Sequence, residues 1–330
     1  MKFREIFRFE LAYQLRRVAT RLCFAVLFVF ALLMMAGSEP TDAAVLQNAP
    51  FGIAFATVLG GAIWLLLAAS VAGEAAARDA QTRMHPLMYT APISKAEYLG
   101  GRFCAAFVVN ALILLTVPLG LLLGLYLPGV EAARLGPFRP AAYLTAYGLI
   151  ALPFAFVATA IQFSCAALSR RPMASYLASV LLLITSSFAA LVVAQQLGRW
   201  ELTTLLDLVG LLGIVSNLGE TWTPVEQNTR LVGLEIPLLA NRLIWLVIAV
   251  GVLALTYGRF RLAHPAGRSR RSRAVRSTKP AGSALARVAP ITTQVRQTFG
   301  LATYARQTLG IAWTSFQTIA RSRGGLALVV

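Results

Sequence analysis

Residues 103–127 read FCAAFVVNALILLTVPLGLLLGLYL, an apolar run without a charged side chain. A helix needs roughly 20 such residues to cross a hydrocarbon core of about 30 Å. Because every backbone N–H and C=O group in lipid needs a partner within the protein, the run is a helix or a strand of a closed barrel. A barrel strand would alternate apolar and polar residues, and this run does not. It therefore predicts a membrane-spanning helix.

Five further apolar stretches lie before and after this one. All are rich in Leu, Ala and Val, and most are close to the length that a spanning helix needs. The fold class that they predict is all-α, a polytopic membrane protein with six transmembrane helices. The predicted spans are residues 21–37, 51–72, 103–127, 141–168, 174–194 and 238–258.

The distribution of lysine and arginine predicts the orientation. Six basic residues lie within residues 1–21, whereas the loop 38–50 has none and carries Glu39 and Asp42. The next loop, 73–102, is basic again, and the sixth span leads to a basic tail. Since cytoplasmic loops carry the excess of Lys and Arg, both termini are predicted to be cytoplasmic. We expect a multi-pass protein of a bacterial-type inner (plasma) membrane.

Residues 1–20 form a separate pattern ahead of the first span. Apolar residues recur there at helical spacing, and arginines occupy other positions. The pattern predicts a helix that lies in the membrane interface. A simple start of a longer first helix is the alternative. The apolar stripe is made of Phe3, Ile6, Phe7, Leu11, Leu15 and Val18.

The formal net charge of +17 raises the question of nucleic acid. The densest basic run, within residues 263–290, has no interleaved aromatic side chains on which bases could stack. Attraction to anionic lipid headgroups explains it more simply. We therefore expect membrane lipids and no nucleic acid as partners, with 263–290 as a basic, flexible linker.

Few polar groups lie inside the predicted spans. The near absence of ionisable residues argues against an ion-coupled transporter, because such transporters place charges in their spans. The remaining mild polarity could line a path for a hydrophobic cargo. Interhelical hydrogen bonding is the more frequent role of such residues. The candidates for path or packing are Asn110, Thr116, Gln162 and Ser164.

The loop before the third span ends in residues 90–102, TAPISKAEYLGGR. Pro92 disfavours helix in the residue before it, and Ser94 followed by Glu97 is the pattern of a capping box. The pattern predicts a rigid turn that leads into the third span and is suited to transmit force from a soluble partner. A well-capped loop with no partner is the alternative.

This stretch resembles the entry into the third span of type-2 ABC transporter membrane subunits. The interfacial helix, cytoplasmic termini and an apolar segment before the sixth span also match, so the resemblance covers residues 1–262. It implies a permease that works as a homodimer or paired with a second permease half, coupled to a separate ABC ATPase subunit. The resemblance assigns the docking contact to the coupling segment, residues 83–94, and to the cap that follows it. The assigned residues are Arg83, Met84, His85, Pro86, Leu87, Met88, Tyr89, Thr90, Pro92, Ser94 and Glu97.

The chain lacks the Gly-x-x-x-x-Gly-Lys-Ser/Thr motif that cradles nucleotide phosphates. ATP is therefore expected only through the partner subunit, with no cofactor or metal bound directly. We expect no enzymatic activity of the chain itself.

Residues 221–229 and 241–245 resemble the external segment of large permeases fused to a zinc aminopeptidase-like domain. Residues 291–330 predict an amphipathic helix and the start of a second membrane half, so we expect the chain to be truncated. The alternative function is the membrane-anchoring front part of such a permease/metallopeptidase fusion. No His-Glu-x-x-His metal motif occurs here.

The orientation can be tested with Lys95→Cys in a variant whose three native cysteines are replaced by alanine. We expect a membrane-impermeant maleimide to label this cysteine only after the cells are permeabilised, because the loop is predicted to be cytoplasmic. Asp42→Cys, predicted to lie outside, should be labelled in intact cells. Labelling of Lys95→Cys in intact cells would overturn the orientation.

Overall fold

The structure is a computed structural model that describes residues 2–37, 44–82, 84, 92–127, 132–197, 205–211, 221–232, 236–261, 310 and 313. In that part the protein is all-α. A 3-10 turn, Ala132–Arg134, precedes α5, which contains a π-helical turn at Ala146–Ala151. The helices are α1 Lys2–Arg16, α2 Val18–Gly37, α3 Pro50–Gln81, α4 Lys95–Gly124, α5 Pro140–Ser169, α6 Met173–Leu197, α7 Pro224–Thr229 and α8 Ile236–Arg259.

Five helices in the described part are long and apolar enough to cross a membrane. The chain is therefore a helical, multi-pass membrane protein. The predicted span 174–194 coincides with α6, whose apolar stretch over described side chains, Met173–Phe188, is shorter than a full span. A sixth span stays a prediction. The five spanning helices are Val18–Gly37, Pro50–Gln81, Lys95–Gly124, Pro140–Ser169 and Leu238–Arg259.

Residues Met1–Gly267 form one compact unit and Arg268–Val330 form another. Gly310 and Trp313 are described in the second unit, and both are helical. The predicted linker 263–290 lies outside the described residues, as does most of the predicted amphipathic helix.

The amino-terminal helix packs differently from its prediction. α1 is separate from α2, but part of its apolar stripe faces protein, because Phe3 and Ile6 pack on Gly100 and Gly101 of α4. A Cβ atom on Gly101 would lie 2.9 Å from Cγ2 of Ile6. The absence of side chains at this glycine pair lets α1 approach α4 closely. Its position in the membrane interface stays a prediction.

The helix α3 has 32 residues and, at 1.5 Å per residue, a length of about 48 Å, so its two ends define two ends of the unit. We call the end at Gln81 the basic end and the end at Pro50 the opposite end. At the basic end, Arg170 donates from Nη2 to the carbonyl of Arg261 at 3.2 Å. The turn from α5 to α6 therefore lies beside the residues that follow α8.

Three connections meet at the opposite end. Between α2 and α3, the backbone N–H of Leu46 donates to Oδ1 of Asn228 at 2.8 Å. Between α4 and α5, the backbone N–H of Gly136 donates to Oδ1 of Asn48 at 2.8 Å. Since α6 starts at the basic end and residues 221–232 lie at the opposite end, the chain crosses the unit between them, as the predicted six-span topology requires.

Small residues allow the helices to pack closely. Gly120 and Gly124 lie one turn apart on the face of α4 that meets α2. A Cβ atom on Gly120 would lie 2.7 Å from Cβ of Ala31 and 2.8 Å from the carbonyl oxygen of Phe28. Lipid provides no hydrophobic force between helices, so close van der Waals contact of this kind holds them together.

Replacement of Gly120 by alanine should lower the free energy of unfolding by about 1 to 3 kcal/mol, because the backbone of α2 has to move. Gly251→Ala is the matched control, since a Cβ atom there meets nothing within 4 Å. Thermal unfolding in detergent micelles measures both. An equal effect of the two substitutions would contradict the close-packing interpretation.

Candidate functional site

Four charged side chains lie together at the basic end, where α1, α3 and α4 meet, and all of them except the partly exposed Arg78 are buried. They are Glu10, Arg78, Asp79 and Arg102, which we call the ion network. Glu10 is 1% exposed and Arg102 is 3% exposed. The two positive and two negative charges give the ion network no net charge. It is the most extensive set of ion pairs in the described part of the chain.

Two short ion pairs form the centre of the ion network. Arg78 donates to both carboxylate oxygens of Glu10, at 2.7 Å from Nη2 and 3.1 Å from Nη1. Arg102 donates from Nη2 to Oδ2 of Asp79 at 2.7 Å. Each arginine also approaches the other carboxylate, because Arg102 Nε lies 4.0 Å from Glu10 and Arg78 Nε lies 3.9 Å from Asp79.

Neutral groups complete the hydrogen bonding of these charges. Gln14 donates to Oε1 of Glu10 at 3.0 Å, and the hydroxyl of Tyr98 donates to Oδ2 of Asp79 at 3.0 Å. Arg102 uses its remaining Nη1 on the carbonyl of Ala75 at 2.9 Å. A buried ion pair is tolerated only when such bonds satisfy its remaining donors and acceptors.

Helical spacing explains why these side chains meet. Glu10 and Gln14 are four residues apart, and so are Tyr98 and Arg102, so that each pair shares one face of its helix. Arg78 lies in the last turn of α3. The ion network is therefore the place where the final turn of α3 and the first turns of α4 are connected to α1.

The start of α4 is as predicted. Ser94 is its N-cap, and its Oγ accepts from the backbone N–H of Glu97 at 3.2 Å. Glu97 in turn accepts from the backbone N–H of Ser94 at 2.9 Å, which completes the capping box. The ammonium group of Lys2 donates to the carbonyl of Pro92, so α1 also contacts the residues just before the cap.

Most of the coupling segment lies outside the described residues. Met84 is described and is half exposed. The structure brings Pro92, Ser94 and Glu97 together at the start of α4, one to two turns before Arg102. The coupling residues outside the described part are Arg83, His85, Pro86, Leu87, Met88, Tyr89 and Thr90.

The first turn of α4 also contacts the end of α8. The ammonium group of Lys95 lies 4.7 Å from the ring centroid of Tyr257 and 3.5 Å from the carbonyl of Gly258. The rings of Tyr98 and Phe260 stack at 6.0 Å. The residues that flank the coupling segment therefore contact α1 and α8 as well as their own helices.

The polar residues predicted for path or packing are all buried in the spans. Asn110 donates from Nδ2 to the hydroxyl of Thr159 at 3.0 Å. Gln162 donates to Oγ of Ser179 at 2.8 Å and to the carbonyl of Leu65 at 2.9 Å. In this conformation these two side chains join helices to one another.

The other two path or packing candidates do not join helices by hydrogen bonds. Thr116 donates to the carbonyl of Ile113 in its own helix at 2.6 Å. Ser164 is buried, and its hydroxyl has no partner among the described residues.

Sequence reasoning missed the ion network. It placed Glu10 in an interfacial helix, and Arg78, Asp79 and Arg102 in the basic loop 73–102 predicted to be cytoplasmic. One signal was present: Glu10 and Gln14 lie on the helical face that Phe3 and Ile6 begin, so polar and apolar residues share one stripe. That pattern indicates a face that meets polar partners in protein.

The segment that resembles the fused permeases lies at the opposite end. Thr223 caps α7, and its backbone N–H and hydroxyl donate to Glu226, which holds the pKa of that carboxyl below its usual value. Trp222 lies against Phe51, with 6.4 Å between ring centroids, and under the guanidinium of Arg230 at 5.0 Å. The segment therefore packs against the start of α3 at the opposite end.

The geometry of the ion network offers electrostatic linkage between helices. Among the described residues, no group of three His, Cys, Asp or Glu side chains is placed to hold a metal ion.

No family model matches the chain, and no curated protein matches it.

Replacement of Glu10 by glutamine should lower the free energy of unfolding by about 3 kcal/mol, because two arginines would then share one buried carboxylate. Glu5→Gln, at an exposed position of the same helix, should change it by less than about 0.5 kcal/mol. Unfolding in detergent micelles measures both. The double variant Glu10→Gln/Arg78→Gln should recover part of the loss, and equal losses for the two single variants would refute the role of the ion network.

Proposed function

We propose that this chain is the membrane subunit of an ATP-driven exporter and receives energy from a separate ATPase subunit through the coupling segment. The resemblance of residues 90–102 to type-2 ABC permeases supports this function. The observation that carries it is the ion network, because it connects both flanks of the coupling segment to α1. The subunit lies in the plasma membrane with both termini in the cytoplasm.

The flanks of the coupling segment are firmly connected to the spans. On one side Arg78 and Asp79 end α3, and on the other Tyr98 and Arg102 begin α4. A displacement of the coupling segment therefore pulls on buried, charge-assisted hydrogen bonds, which are stronger and more directional than apolar contacts. Movement would reach the helices rather than be absorbed by a flexible loop.

Each arginine of the ion network has a second carboxylate close by. Arg102 pairs with Asp79 and lies 4.0 Å from Glu10, and Arg78 pairs with Glu10 and lies 3.9 Å from Asp79. Movement of the two guanidinium groups would exchange these partners and leave the ion network neutral. An element with two such arrangements is what coupling between distant sites requires.

The membrane surface of the unit suits lipid and a second permease half. Of the five spans, those with the smallest share of buried residues are Val18–Gly37, at 28%, and Leu238–Arg259, at 22%. Their exposed Leu, Val and Ile side chains need either lipid or another membrane protein around them. A homodimer or a pair with a second half would form the export path, with a hydrophobic cargo favoured over ions.

The function can be tested by purifying the tagged full chain from its native membranes in mild detergent. We expect an ATPase to accompany the intact chain, with ATP hydrolysis at least tenfold lower when residues 84–94 are replaced by a Gly/Ser linker. The physical reason is the loss of the docking surface. Hydrolysis per mole of purified chain is the measurement.

The control for this experiment replaces residues 38–43, in the loop predicted to be external, by a Gly/Ser linker. This variant should retain the ATPase. Membrane insertion of all variants is checked by their resistance to carbonate extraction. Unchanged ATPase association after replacement of residues 84–94 would overturn the proposal.

A further inference from the structure

A buried arginine lies at the opposite end, far from the ion network. Arg242, in the second turn of α8, is 4% exposed. Its Nη1 donates to the carbonyl of Leu208 at 2.7 Å. Its Nε and Nη2 have no hydrogen-bond partner among the described residues. Within that part of the chain, no ion pair includes Arg242.

The two unpartnered atoms lie on one edge of the guanidinium. Nε–H and Nη2–H point in parallel, and this edge matches two oxygens of a carboxylate or phosphate. The occupied atom, Nη1, is on the other edge. The arrangement therefore fixes the arginine by one bond and leaves its paired donors available.

A third unpartnered donor lies on the same face of α8. Trp245 follows Arg242 by three residues, which places both on the inward face of α8. Its indole Nε1 is buried and has no partner in the described part of the chain, and an indole nitrogen can only donate. Three buried donor atoms of two neighbouring residues thus select a ligand that only accepts.

The local backbone holds Arg242 in this position. Residues 205–211 turn at Gly210, whose φ of 91° is open to glycine and strained for other residues. The backbone N–H of Gly210 donates to Oδ1 of Asp207 at 2.9 Å, and Asn241 donates to the carbonyl of Asp207 at 3.2 Å. This turn presents the Leu208 carbonyl to the guanidinium.

Asp207 compensates the charge of Arg242 only in part. Its Oδ1 accepts from the backbone N–H of Gly210, and Nε and Nη2 of Arg242 have no hydrogen-bond partner among the described residues. At the basic end, by contrast, each arginine of the ion network has a carboxylate at 2.7 Å. The positive charge of Arg242 is therefore not fully balanced by the described residues, and an external anion can balance it.

The position of Arg242 along α8 indicates that the anion also carries an apolar group. It lies 17 residues before Arg259, or roughly 26 Å along α8 at 1.5 Å per residue, which is close to the thickness of the hydrocarbon core. Leu239 and Leu243, its neighbours on α8, are exposed apolar side chains. An oxyanion at this depth would have hydrocarbon beside it.

We propose that Arg242 and Trp245 form a binding site for the carboxylate or phosphate oxygens of an amphipathic anion, a fatty acid or an anionic phospholipid. Nε and Nη2 of Arg242 hold two oxygens, the indole N–H of Trp245 holds one of these or a third, and the hydrocarbon chain lies along α8. The site does not depend on an ATPase, so it stands or fails separately from the export function.

The test measures equilibrium binding of tritiated oleate to the purified full chain in micelles of a neutral detergent. We expect saturable binding, with Kd at least tenfold higher for Arg242→Gln and severalfold higher for Trp245→Phe, which keeps the ring and removes the donor. Arg259→Gln, an exposed arginine at the other end of α8, is the matched control and should leave Kd unchanged. Arg242→Lys keeps the charge without the paired edge and should also weaken binding, which covers the case in which Arg242→Gln does not fold.

Competitors distinguish the sources of the oxyanion. Displacement of oleate by phosphatidylglycerol supports a phospholipid ligand, and binding of oleate without that displacement supports a free carboxylate. Oleyl alcohol, which has the hydrocarbon chain without the charge, should not compete. The proposal is overturned by competition from oleyl alcohol equal to that from oleate, by full displacement with inorganic phosphate, or by the same Kd for Arg242→Gln and the intact chain.

Discussion

The double hydrogen bond between the partly exposed Arg78 and the buried Glu10 is the interaction on which the inner part of this fold depends. Glu10 can be buried only because two arginines face it, and Arg102 can be buried only because Asp79 faces it. Once these charges are paired, α1 must lie against α3 and α4. The same contacts set where α4 begins, because Tyr98 and Arg102 are one turn apart on the face that meets Asp79.

Elsewhere the unit is held by contacts that suit a lipid environment. Apolar side chains gain little from leaving lipid for protein, so close approach at glycines and hydrogen bonds between spans carry the packing. Gly120 against α2 is an example of the first, and Gln162 between Leu65 and Ser179 is an example of the second. Asn110 and Gln162 therefore act as connectors between spans in this conformation.

Local and non-local features differ in how far the sequence predicts them. The spans follow from composition alone, and the cap of α4 follows from Ser94 and Glu97, which are three residues apart. The partners of Glu10 could not be predicted, because Arg78 and Arg102 are 68 and 92 residues away in the chain, and pairing at that distance depends on how the helices pack. The close approach of α1 to Gly100 and Gly101 could not be predicted either, because it depends on Phe3 and Ile6, which are far away in the chain. The burial of Arg242 could not be predicted either, because its partner Leu208 belongs to a different segment of the chain.

The positive charges of the arginines are compensated differently at the two ends of the unit, and the difference bears on mechanism. At the basic end the charges cancel, so the two arginines can exchange partners while the ion network stays neutral. At the opposite end Arg242 keeps two donors open, so its environment changes with whatever anion reaches it. Lys95 contacts the last turn of α8 and Tyr98 contacts Phe260 just beyond it, whereas Arg242 lies in an early turn of the same helix. Under the two proposals, movement that starts at the coupling segment would therefore reach the anion site as a tilt of α8, which would move Arg242 relative to the Leu208 carbonyl that holds it.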